Sequence, residues 1–266
     1  MEWHQALLLA IVQGLTEFLP ISSSAHLVFS SQLLGWPDQG LAFDVAVHVG
    51  TLLAVVTFYR TDIQHMGHAW VESLRCGASN EDSQLVWYLA FASLPIGLAG
   101  VFGSGFIESE FRNLPTIATA NLLFGLLLGA ADRNVNRRST VVPLTLAIVV
   151  VIGLAQTLAL IPGVSRSGVT ITAALLLGLD RQAAARFSFL LSIPVITGAG
   201  GLLIWKLSAS GVSVDWPQLG MAALVSAVTA YACIALFIRL LDTIGLMPFV
   251  YYRVILAGLL YFIWLM

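Results

Sequence analysis

Apolar runs with the length of a membrane-spanning helix alternate with short polar segments along this chain. A helix needs about 20 predominantly apolar residues to cross about 30 Å of hydrocarbon. Six runs approach that length and predict six spans. They are Ala42–Tyr59, Val86–Gly103, Leu114–Ala131, Ala183–Trp205, Leu219–Leu241 and Pro248–Leu265.

Two further apolar stretches, His4–Leu34 and Pro143–Leu177, are interrupted near their middles. The first is broken at Pro20-Ile21-Ser22-Ser23-Ser24, and the second at Pro162-Gly163-Val164-Ser165-Arg166-Ser167-Gly168. A break exposes backbone donors and acceptors, which hydrocarbon tolerates only where protein or a wet cavity bonds them. We therefore predict two re-entrant helix–loop–helix hairpins.

The two interrupted stretches resemble each other at a constant offset of 143 residues (165 − 22 = 143). The matched positions are Gln13 with Gln156, Leu15 with Leu158, Ser22 with Ser165, Ser24 with Ser167, and Leu33-Leu34-Gly35 with Leu176-Leu177-Gly178. Three spans follow each hairpin, and an odd number places the hairpins on opposite membrane faces. This predicts an inverted-topology repeat with a site near the midplane.

The predicted fold class is an all-α polytopic membrane protein with six transmembrane helices and two re-entrant hairpins. We expect one membrane domain, residues 1–266, with one repeat over about 1–131 and the other over about 141–266. The composition agrees, because 58% of residues are hydrophobic and only 10% are charged, against about 25% charged in soluble domains. Cys76 and Cys233 are too few and too far apart for a disulfide framework or a thiolate metal site.

Arginine predicts the orientation in the membrane. Segments 60–85, 132–142, 178–182 and 242–247 fall on one side if six spans alternate. That side carries Arg60, Arg75, Arg133, Arg137, Arg138 and Arg181, with Arg239 at a helix end, against Arg112 and Lys206 opposite. The positive-inside rule makes the arginine-rich side cytoplasmic and leaves both termini outside. We expect membrane lipids as partners and no nucleic acid; a homodimer is compatible with the pattern.

The second break has the composition of an anion site. Arg166 lies in an apolar region, where a cation costs about 2.5–3.5 kcal/mol on insertion scales and therefore usually has a function or a partner. It stands at a helix start, where free N–H groups and the helix dipole favour anions. Ser165 and Ser167 add hydroxyl donors, Gly168 leaves room for close approach, and Thr170 follows one turn later. The alternative is that Arg166 only neutralises Glu17.

The first break supplies groups suited to acid–base and nucleophilic chemistry. Gln13 and Glu17 are four residues apart and share a helix face. The Glu17 carboxylate could hold a divalent cation, act as a base or orient an imidazole. His26 follows Ser23 closely enough to activate its hydroxyl or to be the nucleophile itself. Ser22, Ser23 and Ser24 could instead cap the following helix, and one of them is expected to do so.

The two motifs together resemble the undecaprenyl-pyrophosphate phosphatase family associated with bacitracin resistance. The resemblance rests on Gln13-Gly14-Leu15-Thr16-Glu17-Phe18-Leu19-Pro20-Ile21-Ser22-Ser23-Ser24-Ala25-His26 and on Pro162-Gly163-Val164-Ser165-Arg166-Ser167-Gly168-Val169-Thr170. It implies a phosphatase that converts undecaprenyl pyrophosphate to the monophosphate at the outer face of the bacterial cytoplasmic membrane, with Mg²⁺ or Ca²⁺. The lipid carrier would thereby be recycled for cell-wall synthesis.

The resemblance also implies roles for individual residues. Glu17 would match the essential glutamate and be the metal ligand, Ser23 the proposed nucleophile and His26 the essential histidine. Ser165, Arg166 and Thr170 would contact phosphate, and Gln13, Ser22, Ser24, Ser167 and Gly168 would complete the substrate site. The chain departs from the family in Gln13, where many members carry glutamate, and in Ala25, where many carry glycine.

Two questions stay open at the level of sequence. Either Ser23 or His26 could attack phosphorus, with Glu17 as base, orienting group or metal ligand. A different class of function uses the same features, because secondary transporters also aim broken helices at anions. A polyprenyl-phosphate flippase is therefore the alternative to a hydrolase.

Overall fold

The computed structural model describes residues 1–27, 35–36, 39–135, 142–210 and 215–266. Over these ranges it contains ten α-helices with assigned bounds, and no strand. The helices are α1 (Trp3–Thr16), α2 (Leu41–Phe58), α3 (Arg60–Cys76), α4 (Glu81–Phe111), α5 (Leu114–Val135), α6 (Leu146–Gln156), α7 (Arg166–Leu176), α8 (Arg181–Ser210), α9 (Trp216–Ile244) and α10 (Met247–Leu265). Residues 23–27 are also helical.

Six of these helices, α2, α4, α5, α8, α9 and α10, are long and apolar enough to cross a membrane. Each coincides with one of the six predicted runs, so the chain is an all-α polytopic membrane protein. The helices α4 and α8 are longer than predicted, with 31 and 30 residues. Both continue through an internal proline, Pro95 and Pro194, which sequence rules treat as a break or kink.

The segment 60–85 was predicted to be a loop, and this is wrong for much of its length. Residues Arg60–Cys76 form the helix α3, which ends at Gly77 in a left-handed conformation. The helix is amphipathic: Met66 is buried, and the Trp70 ring meets the Trp87 ring of α4 edge-on at 5.9 Å. The segment was not predicted to be a helix because its overall hydrophobicity is low, and only one stripe of the helix is buried.

The two interrupted stretches consist of short helical arms around a break. The arms α1, α6 and α7 have 14, 11 and 11 residues. At 1.5 Å per residue each is about 16–21 Å long, too short to cross about 30 Å of hydrocarbon. The first break covers residues 17–22, and the second, with a short 3₁₀ turn at Thr157–Leu160, runs to Ser165. The predicted matches at Leu33 and Leu34 lie outside the described residues.

Each hairpin packs against a span from the other half of the chain. A Cβ on Gly14 of α1 would lie 2.7 Å from the Ser226 carbonyl oxygen of α9, so the two helices touch backbone to backbone. In the same way α6 approaches α4 at Gly153, and Gln156 Nε2 donates to the Ala92 carbonyl at 3.2 Å. The halves therefore interlock, although their assignment as inverted repeats stays a prediction.

The remaining spans close the bundle around the two breaks. The helix α2 packs on α8 and α9, and α5 packs on α10. The largest buried apolar cluster runs from Phe18, at the first break, to Phe189 of α8, whose ring it meets at 5.3 Å. Away from the breaks, the buried Asp132 carboxylate accepts from Arg181 Nε at 2.6 Å and from the Leu246 N–H at 3.2 Å. These contacts fix the ends of α5, α8 and α10 and leave the breaks at the centre.

Candidate active site

The two breaks end in the same unusual backbone conformation. Ser22 and Ser165 have φ angles of +74° and +71°, and they are the only non-glycine residues with positive φ in the described ranges. Each residue directly precedes a helix, which begins at Ser23 or at Arg166. The left-handed turn costs an L-residue about 1–2 kcal/mol. The two serines that the sequence offset matches are therefore the residues at which the breaks end and the next helices begin.

The structure brings the two breaks into direct contact, as the sequence predicts. Ser167 Oγ donates to the Leu19 carbonyl at 2.9 Å, and the Gly163 N–H donates to Ser24 Oγ at 3.4 Å. Both bonds join residues of one break to residues of the other. The polar groups freed by each interruption thus find partners in the opposite hairpin, as a membrane interior requires.

The Glu17 carboxylate is the centre of the polar network, and its side chain is only 8% exposed. Ser23 Oγ and Gln13 Nε2 both donate to Oε2 at 2.9 Å. Arg166 Nη2 lies 3.5 Å from Oε1, at the edge of hydrogen-bonding distance. A serine hydroxyl that donates to a carboxylate, opposite a guanidinium, is an arrangement suited to nucleophilic attack on an anionic centre.

Arg166 is anchored at several points besides Glu17. Its Nη1 donates to the Ser188 carbonyl at 3.2 Å, and its guanidinium lies 5.9 Å from the centre of the Phe18 ring. Thr170 Oγ1 donates to the Arg166 carbonyl at 2.8 Å and lies 2.7 Å from Ser188 Oγ. The long ion pair with Glu17 leaves the guanidinium fork able to meet phosphoryl oxygens. Arg166 therefore has partners besides Glu17, and its contact with phosphate stays a prediction.

A cavity of about 230 Å³ lies between the breaks. Its polar lining is Glu17, Ser22, Ser23, Ser24, His48, Ser165 and Arg166. Its apolar lining is Ile96, Ala159, Val195, Ile196, Ala199, Gly200 and Leu203. The lining combines one guanidinium, one carboxylate and several hydroxyls with aliphatic side chains, which suits a polar head group that carries a hydrocarbon tail.

Several predicted site residues support this cavity instead of lining it. Gln13, Ser167 and Thr170 are fully buried, and Gly168 donates its N–H to Ser165 Oγ at 3.1 Å as part of the α7 cap. Gln13 holds Glu17, and Thr170 holds the Arg166 backbone. The predicted direct phosphate contact of Thr170 would require its hydroxyl to give up some of its three present partners, the carbonyls of Arg166 and Ser167 and the Ser188 hydroxyl.

His26 points toward another element of the protein. Its Nδ1 donates to the Ser22 carbonyl at 2.7 Å, so its Nε2 is the acceptor for the Tyr252 hydroxyl of α10 at 2.6 Å. The two rings also stack, with centroids 5.6 Å apart. His26 is not among the residues that line the cavity.

A scan against family models matches residues 6–259 to the family described as bacitracin resistance protein BacA. The chain belongs to this family. A relative named undecaprenyl-diphosphatase from Alcanivorax borkumensis is 55% identical over 265 residues, which cover all of both chains. Relatives of the same name from Hahella chejuensis and Chromohalobacter salexigens are 50% and 53% identical, over at least 99% of each chain. These names are those of phosphatases, and none refers to transport.

Two residues that were left out of the predicted set, His48 and Arg253, belong to the site. His48 of α2 lines the cavity, with Nε2 3.9 Å from Glu17 Oε2 and 3.4 Å from Gln13 Nε2. Its four-residue spacing from Asp44 is a common pattern and gave no reason to choose it. Arg253 of α10 is fully buried and bonded to both breaks. The signal for Arg253 was a lone cation within an apolar span that carries no acid.

The residues present fit a cation that is shared with a substrate. No group of three His, Cys, Asp or Glu side chains could hold a metal ion by itself within the described residues. Glu17 offers one carboxylate, and Gln13 Oε1 beside it is a buried oxygen without a hydrogen-bond partner. Mg²⁺ commonly binds through one or two carboxylates together with substrate phosphates. This donor set suits such binding and not a closed protein cage.

The positive φ of Ser22 predicts an unusual order of stabilities. Ser22→Gly should be more stable than Ser22→Ala by about 1 kcal/mol, because glycine adopts the left-handed region without strain. Both variants lose the hydroxyl, so their difference reports the backbone alone. The measurement is the free energy of unfolding in detergent.

Ser24 is the matched control for this comparison, since it lies in the helix that follows. At Ser24 the order should reverse, because glycine costs about 1 kcal/mol relative to alanine inside a helix. Equal stability of the two Ser22 variants would contradict the strained turn.

Proposed function

We propose that this protein hydrolyses undecaprenyl pyrophosphate to undecaprenyl phosphate and inorganic phosphate. The observation that carries the proposal is the Ser23 hydroxyl on the Glu17 carboxylate, which faces the Arg166 guanidinium across one cavity. The full-length relatives named undecaprenyl-diphosphatase support the same reaction. The product would be the carrier lipid in the form that cell-wall synthesis uses again.

The lining of the cavity supports a lipid substrate. Arg166, Ser165 and the N–H groups at the start of α7 are placed to hold the diphosphate, where the helix dipole also favours negative charge. The residues Val195 to Leu203 along α8 give the opposite wall an aliphatic surface. The polyprenyl chain would lie along this wall and extend between the spans into the bilayer.

The first chemical step is transfer of the terminal phosphoryl group to Ser23. Glu17 takes the hydroxyl proton while Oγ attacks the terminal phosphorus, and the bond from that phosphorus to the bridging oxygen breaks. The bridging oxygen keeps the electron pair and leaves as undecaprenyl phosphate. Arg166 offsets the charge on the equatorial oxygens, and such electrostatic positioning accounts for most catalysis of phosphoryl transfer.

The second step releases inorganic phosphate. Water attacks the phosphoserine, the P–Oγ bond breaks, and Glu17 returns its proton to Oγ. One proton of the water stays on the released phosphate and the other passes to solvent. We favour Ser23 over His26 as nucleophile because Ser23 lines the cavity, whereas the Nε2 of His26 accepts the Tyr252 hydroxyl.

A divalent cation, Mg²⁺ or Ca²⁺, is part of the proposal. Glu17 would be its protein ligand, with Gln13 Oε1 and the diphosphate oxygens as neighbours. When bound, it would neutralise charge on the diphosphate and polarise the bond that breaks. Because this chain has glutamine at position 13, where many family members carry glutamate, the ion would meet one carboxylate instead of two.

We further propose that the cavity opens to the outer face of the bacterial cytoplasmic membrane. Arg60, Arg133 and Arg181 stand in the first or last turn of α3, α5 and α8. The cavity is lined by the half of α8 that lies away from Arg181, from Val195 to Leu203. The positive-inside rule places the arginine-bearing ends in the cytoplasm. A homodimer stays a prediction from the sequence.

Purified protein in detergent or nanodiscs should release inorganic phosphate from undecaprenyl pyrophosphate. Arg166→Ala should lower kcat/KM by roughly 10²–10³-fold, the loss typical of removing one donor to a developing charge. Arg186→Ala is the control, because Arg186 is half-exposed and pairs with Asp62 away from the cavity. A well-folded Arg166→Ala variant with full activity would remove Arg166 from the mechanism.

Covalent trapping decides the nucleophile. Rapid acid quench with substrate labelled on the terminal phosphate, followed by peptide mass spectrometry, should place phosphate on Ser23. The Ser23→Ala protein should carry no label. Label on His26 would reverse the assignment, and label on neither residue would leave direct attack by water.

Removal of divalent ions tests the cation. Dialysis against EDTA should reduce phosphate release at least tenfold, because charge neutralisation at a phosphoryl group contributes several kcal/mol. Addition of Mg²⁺ or Ca²⁺ should restore it. Full activity in excess EDTA would exclude a required divalent ion.

A further inference from the structure

A second guanidinium lies directly behind the site, on α10. Arg253 has no exposed surface and does not line the cavity. No carboxylate within the described residues forms an ion pair with it. A buried, unpaired cation is costly within a membrane protein and is normally kept for a function. The proposed reaction does not use it directly.

Within the described residues, the hydrogen bonds of this guanidinium go to backbone carbonyls. Nη1 donates to the carbonyl of Pro20 at 3.3 Å, in the first break. Nη2 donates to those of Gly163 and Val164 at 2.8 and 3.0 Å, in the second break. Nε donates to the carbonyl of Asn121 in α5 at 3.0 Å. One rigid group therefore joins three elements that are distant in sequence.

The path of the Arg253 side chain is cleared by two glycines. A Cβ on Gly125 of α5 would lie 3.0 Å from Arg253 Cβ, and a Cβ on Gly168 of α7 would lie 2.8 Å from Arg253 Nη1. Any side chain at Gly168 would thus push the guanidinium away from the breaks. The glycine at this position has a steric reason that is separate from substrate binding.

We propose that Arg253 is a positioning residue that holds the two breaks in register, so that Ser23 and Glu17 face Arg166. The proposal rests on the proposed function. Pro20 stands three residues before Ser23, and Val164 stands two residues before Arg166. The planar fork fixes both carbonyls at once, which the single ammonium of a lysine cannot do with the same geometry. A displacement of about 1 Å between reacting groups can cost about 10²-fold in rate.

The test compares Arg253→Met and Arg253→Lys with the matched control Asn121→Ala. Asn121 Nδ2 donates to the Arg253 carbonyl at 3.0 Å, so this control loosens the same pair of helices without touching the breaks. Arg253→Met should lower kcat about 100-fold, the cost of such a misplacement, with a much smaller change in KM. Arg253→Lys should fall between, and Asn121→Ala should keep the kcat of the unaltered chain.

Hydrogen exchange followed by mass spectrometry gives a readout that does not need activity. In the full chain, Arg253→Met should speed amide exchange in both segments 17–24 and 161–168, whereas Asn121→Ala should leave both unchanged. If Arg253→Met does not fold, Arg253→Lys is compared in the same way. A normal kcat in a folded Arg253 variant, unaltered exchange in either segment, or equal effects of Asn121→Ala would overturn the proposal.

The two proposals fail in different ways. If the unaltered protein releases no phosphate from undecaprenyl pyrophosphate, the proposed function is wrong. The exchange comparison would then still decide whether Arg253 holds the two breaks together.

Discussion

The site depends on the need to bond every backbone polar group that a broken helix exposes inside a membrane. The breaks at residues 17–22 and 157–165 leave carbonyls and N–H groups without helical partners. The protein bonds them across the interface, through Ser167 to Leu19, Gly163 to Ser24 and Arg253 to Pro20 and Val164. The groups that make the breaks tolerable also assemble the cavity, so stability and site geometry come from the same contacts.

The charges at the breaks suit an anion. Arg166 and Arg253 bring two guanidinium groups to the site, and Glu17 brings one carboxylate. The start of α7 adds the positive end of a helix dipole. A substrate with several negative charges would relieve the imbalance, whereas a neutral or cationic one would increase it. Because the Ser23 hydroxyl is bonded to Glu17, the proposed nucleophile and base are already in contact.

The sequence predicted the parts of the molecule that carry strong local signals. Six spans follow from apolar length, and the contact of the two breaks follows from the offset that matches Ser22 with Ser165. Other features depend on tertiary contacts that local patterns do not encode. The helix α3 is stabilised by burying one stripe around Met66, and His48 reaches Glu17 only because α2 packs beside α1. In the sequence, the part of α8 that lines the cavity has the same apolar pattern as the other spans, so its role could not be predicted. The contact between Tyr252 and His26 likewise depends on the tertiary fold, because the two residues are far apart in the sequence.

The packing of each hairpin on a span from the opposite half has a consequence for biosynthesis. The ribosome makes α1 long before α9, the helix against which Gly14 fits. Until the later half has been inserted, the Glu17 carboxylate stands in a nascent chain without the arginine that offsets its charge. Early intermediates therefore carry this acid without its arginine partner. A chain inserted through α7, which begins at Arg166, supplies that partner.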